Sequence, residues 1–401
     1  MNFPLRTSNS FWANLSWNAA SAIVYAFLLQ IVIFPGIASS GNSVSFGEFL
    51  AVMAVINISS HFVGGAASNL VMRASTTTAD VRTLSFAKAN GTFLVLLVGT
   101  LPFVIAATAL MPRDDFVLCT LAYILFASRL YCLSPFRLTL DYKRVAIANS
   151  FCGVAYLPGL LLLENFPQIS PVWLVCIAEF TSLLFLIKNS PIFESGSQPK
   201  KPNSYLGQVF GLAITNLSVN LQTYADRLIL SKFIGFNAVS VFYAAALSGR
   251  LLMMPTNTVS SVVLSYVSHQ SRLDIRSSKI ILATLSLVGL ISVVLASISP
   301  IVIRLLYPQF EDLALNIRAS VSLALSCKIA ECLFRPLTIK LLPVRLLSSI
   351  NVIASSSMII FCSLAAYFGG LPGFVLGYLL TAAFSLSLQI FVVIRELHQD
   401  N

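Results

Sequence analysis

Residues 189–204 read NSPIFESGSQPKKPNS, and this polar stretch separates two runs of six apolar segments. Its Pro, Ser, Gly and Lys content is typical of a flexible linker. The flanking segments have the ~20 residues that one membrane-crossing helix needs. The sequence therefore predicts an all-α polytopic membrane protein with twelve transmembrane helices in two six-helix bundles. The N-terminal bundle would be 1–188, the cytoplasmic linker 189–204, the C-terminal bundle 205–395 and the tail 396–401. Spans 1 to 12 are predicted at 11–34, 46–68, 92–111, 116–136, 145–163, 171–188, 205–233, 239–267, 280–303, 313–335, 346–368 and 371–394.

The composition excludes a sizeable soluble catalytic domain. Of the 401 residues, 57% are hydrophobic and 10% are charged, whereas soluble domains are ~45–50% apolar and ~25% charged. The seven cysteines all fall in apolar stretches and form no C-x-x-C pair, so we expect them to be small buried hydrophobes. The sequence contains no Walker A motif, no nucleophile elbow and no set of residues with metal-ligand spacing. We therefore expect no enzyme activity, no metal and no cofactor.

The positive charge indicates orientation. The net charge is +10, and with the N-terminus inside, seventeen Lys and Arg residues lie at inner ends and four at outer ends. This asymmetry predicts that both termini are cytoplasmic, and it explains the charge without nucleic acid. The longest outer connection is predicted near Pro35 to Ser45, about eleven residues, and Gly369-Gly370 alone would join the last two spans.

Two similar polar motifs indicate an internal repeat. Residues 14–18 of span 1 read NLSWN, and residues 216–220 of span 7 read NLSVN. Helix positions 0, 4, 7 and 11 share one face, so Asn216, Asn220 and Arg227 form a polar stripe, as Asn14 and Asn18 do in span 1. Further matches between the halves favour a direct repeat about an axis along the membrane normal, an arrangement that many transporters have around a midplane site.

Charged side chains within the predicted spans are the main functional signal, because each costs at least ~2.5–3.5 kcal/mol to insert. Four cations face three carboxylates, so the set is net positive. Guanidinium forks suit phosphates, and Asn amides suit sugar hydroxyls or phosphate oxygens. Interhelical ion pairs are the alternative, and Asp226 in particular needs a partner on another helix because its neighbour Arg227 points elsewhere. The seven residues are Arg129, Glu179, Asp226, Arg227, Arg250, Lys328 and Glu331.

Ion coupling has four candidate residues. Three are the intramembrane carboxylates Asp226, Glu331 and Glu179. The fourth is His61, the only histidine within a predicted span, which could carry a proton. Packing of His61 beside the small residues Gly64 and Gly65 is the alternative interpretation.

Residues 224–235, YADRLILSKFIG, followed by 239–246, VSVFYAAA, resemble the start of the second half in bacterial polysaccharide flippases. Residues 46–50, FGEFL, resemble the first-half version. The family is the O-antigen and lipid-linked oligosaccharide flippases of the multidrug/oligosaccharidyl-lipid/polysaccharide (MOP) exporter superfamily. Two features depart from its pattern: Ser240 replaces a frequent Gly, and spans 1 and 2 carry no buried Arg.

The resemblance implies two six-helix bundles around a cationic cavity in the bacterial inner membrane. By alternating access, such a protein carries a polyprenyl-pyrophosphate-linked O-antigen or exopolysaccharide unit, as used for lipopolysaccharide, to the outer leaflet. Arg250, Arg227, Arg129 and Lys328 would then hold the diphosphate, and the Asn stripes would face the glycan. The implied partners are this substrate, membrane lipids, and the polysaccharide polymerase and chain-length machinery.

Three alternatives remain open. A MATE-like multidrug/cation antiporter should have carboxylates in its first-half cavity, and span 1 has none. A membrane glycan polymerase or ligase usually needs a long outer loop. A purely structural membrane partner gives no reason for charges on matched polar stripes.

Overall fold

The chain is all-α wherever the computed structural model describes it. The described residues are 16–17, 19–20, 23–25, 27–41, 43–76, 86–109, 116–138, 141–166, 169–189, 205–267, 277–342 and 344–399. Ten stretches within them are long and apolar enough to cross a membrane, and the last, Leu346–Glu396, contains two of the predicted spans. The protein is therefore a polytopic membrane protein, as predicted.

The helices follow the predicted spans closely. In the first half they are Leu28–Ile33 (π-helical) continuing as Phe34–Ser40, Ser43–Ser60, His61–Gly65 (π-helical), Ala66–Thr76, Phe86–Ala109, Phe116–Cys132, Ser134–Leu138, Tyr142–Asn165 and Val172–Asn189. In the second half they are Tyr205–Phe233, Phe236–Val267, Ser277–Leu306, Pro308–Phe310 (3₁₀), Glu311–Leu341 and Val344–Gln399. Spans 11 and 12 lie within this last segment.

Two glycines with positive φ end helices in the second half, and the connection at Gly369-Gly370 was predicted. Gly370 has φ 57° and interrupts Val344–Gln399, which makes the two-glycine connection between spans 11 and 12. Gly235 has φ 116° and separates spans 7 and 8. Glycine reaches these left-handed angles without the steric penalty of a Cβ atom.

The predicted outer loop from Pro35 to Ser45 is wrong. The helix continues through Pro35 to Ser40, and the next helix begins at Ser43. A π-helical turn precedes the proline, with the Phe34 N–H bonded to the Leu29 carbonyl. Gly36 then packs so tightly that a Cβ atom there would lie 2.7 Å from Leu160 Cδ1. This close packing accompanies a helix where the sequence predicted the outer connection.

The chain forms two compact units, each made of two stretches of sequence. Unit 1 comprises the described residues of Met1–Ser40 and of Ala51–Tyr224, and unit 2 those of Gly41–Leu50 and of Ala225–Asn401. The first part of span 2 thus belongs to unit 2, and the first part of span 7 belongs to unit 1. Apart from Asn189, the linker 189–204 lies outside the described residues.

The cysteines behave as predicted. All seven are free thiols; six are buried and Cys332 is half-buried.

Candidate functional site

A buried arginine–carboxylate pair lies in unit 1. Arg129 of span 4 donates from Nε to Glu179 Oε2 of span 6, and from Nη2 to Oε1 at 3.3 Å. Its Nη1 donates to Asn149 Oδ1 at 2.9 Å, and its guanidinium lies 5.1 Å from the Phe126 ring centroid. The side chains of Arg129 and Glu179 are 5% and 1% exposed. This bidentate pair is compensated within unit 1 in both charge and hydrogen bonds.

A second buried pair lies in unit 2 and is arranged differently. Arg250 of span 8 donates from Nη2 to Asp226 Oδ2 of span 7, so Asp226 has the interhelical partner that the sequence required. The Arg250 side chain is 12% exposed and that of Asp226 is 1% exposed. The other carboxylate oxygen, Asp226 Oδ1, is buried without a hydrogen-bond donor in the described part of the chain.

Two arginines of unit 2, Arg227 and Arg250, lie over the same aromatic ring. The guanidinium carbons of Arg250 and Arg227 are 4.8 and 5.3 Å from the centroid of the Tyr243 ring. The two guanidinium carbons are therefore close to each other, since both lie within 5.3 Å of the same ring centroid. Cation–π attraction to a desolvated ring holds each of them in place.

The tyrosine platform is fixed by tight packing in unit 2. Phe46 meets the Tyr243 ring edge-on at 5.8 Å. The Ser240 hydroxyl donates to the Ser43 carbonyl at 2.6 Å, so this serine joins the two helices on which Phe46 and Tyr243 lie. A Cβ atom on Gly47 would lie 1.9 Å from the Phe236 carbonyl oxygen, so only glycine permits this approach.

The two sites differ in the number of arginines that they bring together. In unit 1, Arg129 pairs with Glu179. In unit 2, the guanidiniums of Arg227 and Arg250 both lie over the Tyr243 ring, and Arg250 pairs with Asp226. Two buried guanidiniums beside one ring offer many N–H donors, which suit an anion. We name Asp226, Arg227, Tyr243 and Arg250 the arginine cluster.

The predicted charges of span 10 make contacts with span 12 inside unit 2. The buried Lys328 places its Nζ 5.4 Å from the Tyr378 ring centroid. The half-buried Glu331 accepts a 2.7 Å hydrogen bond from Gln389 Nε2.

His61 is packed among aromatic rings in unit 1. Its Nδ1 makes a 2.9 Å hydrogen bond with the Asn57 carbonyl, which requires a proton on Nδ1. Its ring meets Phe126 edge-on at 5.4 Å and lies 6.4 Å from that of Tyr224. The residue starts the π-helical segment His61–Gly65, a feature frequent at functional sites.

The asparagines of span 7, Asn216 and Asn220, lie within unit 1. Asn216 accepts a 3.3 Å hydrogen bond from Asn69, and its Nδ2 would lie 3.3 Å from a Cβ atom on Gly65. Asn220 donates to the Asn216 carbonyl of its own helix at 2.8 Å. Asn14 and Asn18 lie outside the described residues, and glycan binding by either stripe stays a prediction.

The sequence did not identify Tyr243 as a site residue. Its spacing of seven positions from Arg250 puts both on one helix face, and this was the available signal. The polarity of span 7 was a further signal, because Tyr205–Phe233 is not among the ten stretches apolar enough to count as spans.

Comparison with known proteins gives structural likeness without sequence likeness. Neither a family model nor a curated protein matches the chain. The structure resembles that of the lipid II flippase MurJ in an inward closed conformation, with TM-score 0.65, 15% identity, and coverage of 98% of this chain and 88% of that one. It also resembles an inward-facing multidrug resistance MATE family transporter of the MOP superfamily, with TM-score 0.58, 12% identity, and coverage of 96% and 95%. The Vibrio cholerae MATE transporter VcmN in the bent form gives TM-score 0.59, 12% identity, and coverage of 98% and 99%.

At these identities the likeness concerns the fold. Together with the ten stretches long and apolar enough to cross a membrane, it shows that the chain shares the fold of these solved transporter structures.

Proposed function

We propose that the protein flips a polyprenyl-diphosphate-linked oligosaccharide from the cytoplasmic to the outer leaflet of the bacterial inner membrane. The cargo would be an O-antigen or exopolysaccharide repeat unit, moved by alternating access. Both termini would be cytoplasmic, as the charge asymmetry predicts.

The observation that carries this proposal is the arginine cluster. A diphosphate offers acceptor oxygens on two adjoining phosphorus atoms, and Arg227 and Arg250 offer two guanidinium forks around one tyrosine ring. Arg250 is the more accessible of the two to an incoming ligand, with 12% of its side chain exposed.

Arg129 has a different position in this proposal. Its contacts with Glu179 and Asn149 give it a stabilising role within unit 1. The sequence prediction that Arg129 also binds cargo is separately testable, and so is the prediction for Lys328.

A reconstituted flipping assay tests the proposal. The purified protein is placed in liposomes with a fluorescent farnesyl-diphosphate sugar, and quenching from outside measures the outer-leaflet fraction over time. We expect protein-dependent flipping that falls at least tenfold in the Arg250→Gln variant. Arg304→Ala is the control, since Arg304 is exposed and pairs with Glu311 at the surface. Liposomes with correctly inserted protein that flip no faster than empty ones would contradict the proposal.

A MATE-like cation antiporter is the second candidate. The likeness to MATE transporters and the buried Asp226 Oδ1 favour it, because a carboxylate oxygen can take a cation. In the same liposomes this candidate predicts export of a cationic dye against a proton or sodium gradient, with the diphosphate probe left in place.

A further inference from the structure

The buried hydroxyl of Tyr307 in unit 2 contributes no hydrogen bond to the described part of the fold. Tyr307 is 0% exposed, and its hydroxyl has no hydrogen-bond partner in the described part of the chain. A buried polar group without a partner destabilises a fold, and most such groups are paired. A phenylalanine would suit a purely apolar environment better.

The ring of Tyr307 is firmly placed beside the arginine cluster. It precedes the 3₁₀ turn Pro308–Phe310 and stacks on Phe46 and Phe310 at 5.8 and 6.1 Å. It also meets the Tyr243 ring edge-on at 6.1 Å, and Tyr243 is the ring over which Arg227 and Arg250 lie. Two of its neighbours are phenylalanines, so the stack itself needs no hydroxyl.

The protonation state of Tyr307 suits a donor. The residue lies between the apolar stretches of spans 9 and 10. Burial raises its pKa well above the usual value, and the Tyr243 hydroxyl adds to the rise, while the charges of Arg250 and Arg227 act against it. The phenol therefore keeps its proton at physiological pH, and both guanidiniums are near enough to influence it.

We propose that Tyr307 is a specificity-determining residue whose hydroxyl donates a hydrogen bond to the phosphate held by Arg227 and Arg250. This inference rests on the proposed function and adds a ligand to the same site. The hydroxyl and the two guanidiniums all present donors, so they select a ligand whose facing atoms are all acceptors, as in an ionised diphosphate.

The burial of Tyr307 also sets the stage at which it acts. Because the ring is closed off from solvent, its hydroxyl meets the phosphate only after the ligand has entered through the more exposed Arg250. Loss of the hydroxyl should therefore speed dissociation more than it slows association, as most interface changes do.

The test compares Tyr307→Phe with the wild type in nanodiscs, using farnesyl diphosphate as the probe and surface plasmon resonance for the rates. A hydrogen bond to a charged group corresponds to a loss of affinity of roughly tenfold to a hundredfold. We expect such a loss, mostly in the dissociation rate, together with thermal stability equal to or above that of the wild type.

Tyr123→Phe is the matched control. Tyr123 is also 0% exposed, but its hydroxyl hydrogen-bonds with Thr100 Oγ1 and donates to the Leu97 carbonyl at 3.3 Å in unit 1. This variant should lose stability and keep wild-type affinity for the probe.

Each other outcome overturns the inference. Equal affinity of Tyr307→Phe and the wild type would show that the hydroxyl does not meet the ligand. A Tyr307→Phe protein that unfolds or loses stability as Tyr123→Phe does would show that the hydroxyl already supports the fold. A wild type that does not bind farnesyl diphosphate would overturn the proposed function as well. A wild type that binds the probe no better than Tyr307→Phe does would overturn only the role of the Tyr307 hydroxyl.

Discussion

Neutralising the Asp226–Arg250 pair should abolish cargo binding while preserving the fold. In the single variant Arg250→Gln, the carboxylate of Asp226 stays buried at 1% exposure without its partner, which typically destabilises a protein by about 3–5 kcal/mol. In the double variant Asp226→Asn/Arg250→Gln, both charges disappear together and two neutral amides replace them. We expect the double variant to be clearly more stable than the single variant, since no lone buried charge is left behind.

The expected effect on binding is much larger than that on folding. One guanidinium that donates two charge-assisted bonds to phosphate contributes about 3–6 kcal/mol, equivalent to two to four orders of magnitude in affinity. Thermal unfolding in detergent measures the change in stability. Titration with farnesyl diphosphate measures the change in affinity. Surface-glycan export in cells, divided by the amount of protein in the membrane, provides the functional readout.

The neutralised pair of unit 1, Arg129→Gln/Glu179→Gln, is the matched control and should keep probe affinity within about twofold, a change below 0.5 kcal/mol. Affinity lost in this control would instead favour the sequence prediction that Arg129 binds cargo. Wild-type export by a well-folded Asp226→Asn/Arg250→Gln protein would contradict a role for Arg250 in cargo binding.

Three further predictions concern packing and proton carriage. Gly47→Ala should lower the thermal stability of unit 2 by several degrees, because its Cβ atom would lie 1.9 Å from the Phe236 carbonyl oxygen. Gly99→Ala is the control and should be neutral or stabilising, because nothing lies within 4 Å of the new atom. Equal melting temperatures for these two variants would contradict the prediction. Ser240→Ala should destabilise by about 1 kcal/mol through loss of one hydrogen bond to the Ser43 carbonyl, as denaturant titration can measure, and an unchanged midpoint would count against that bond. His61→Leu should lower the stability of the protein, because the imidazole ring packs against Phe126 and hydrogen-bonds to the Asn57 carbonyl. The pH dependence of flipping should stay unchanged. Its disappearance in this variant would favour His61 as a proton carrier.

The membrane helices could be predicted from sequence because their cause is local. A run of apolar residues of bilayer length has to form a helix, since no other open structure satisfies its backbone in lipid. The break at Gly370 was equally visible, because a two-glycine interruption of an apolar run leaves room only for a turn. The outer loop near Pro35 to Ser45 was predicted wrongly, and the packing of Gly36 against Leu160 could not be foreseen because it depends on a residue of span 5.

The sequence predicted only part of the site, because the rest depends on contacts between different helices. Intramembrane charge identified Asp226, Arg227 and Arg250, and the need of Asp226 for a partner on another helix could be stated without a structure. Which arginine it would take could not, because pairing depends on how spans 7 and 8 face each other. Tyr307 carries no charge or motif, and only its burial and its unpaired hydroxyl single it out.

A cryo-electron microscopy map of the protein with a farnesyl-diphosphate sugar would show directly which residues hold the phosphates. We expect phosphate density at hydrogen-bond distance, about 3 Å, from the guanidinium nitrogens of both Arg227 and Arg250. Density beside Arg129, or a cargo bound with its phosphates away from the Tyr243 ring, would contradict it.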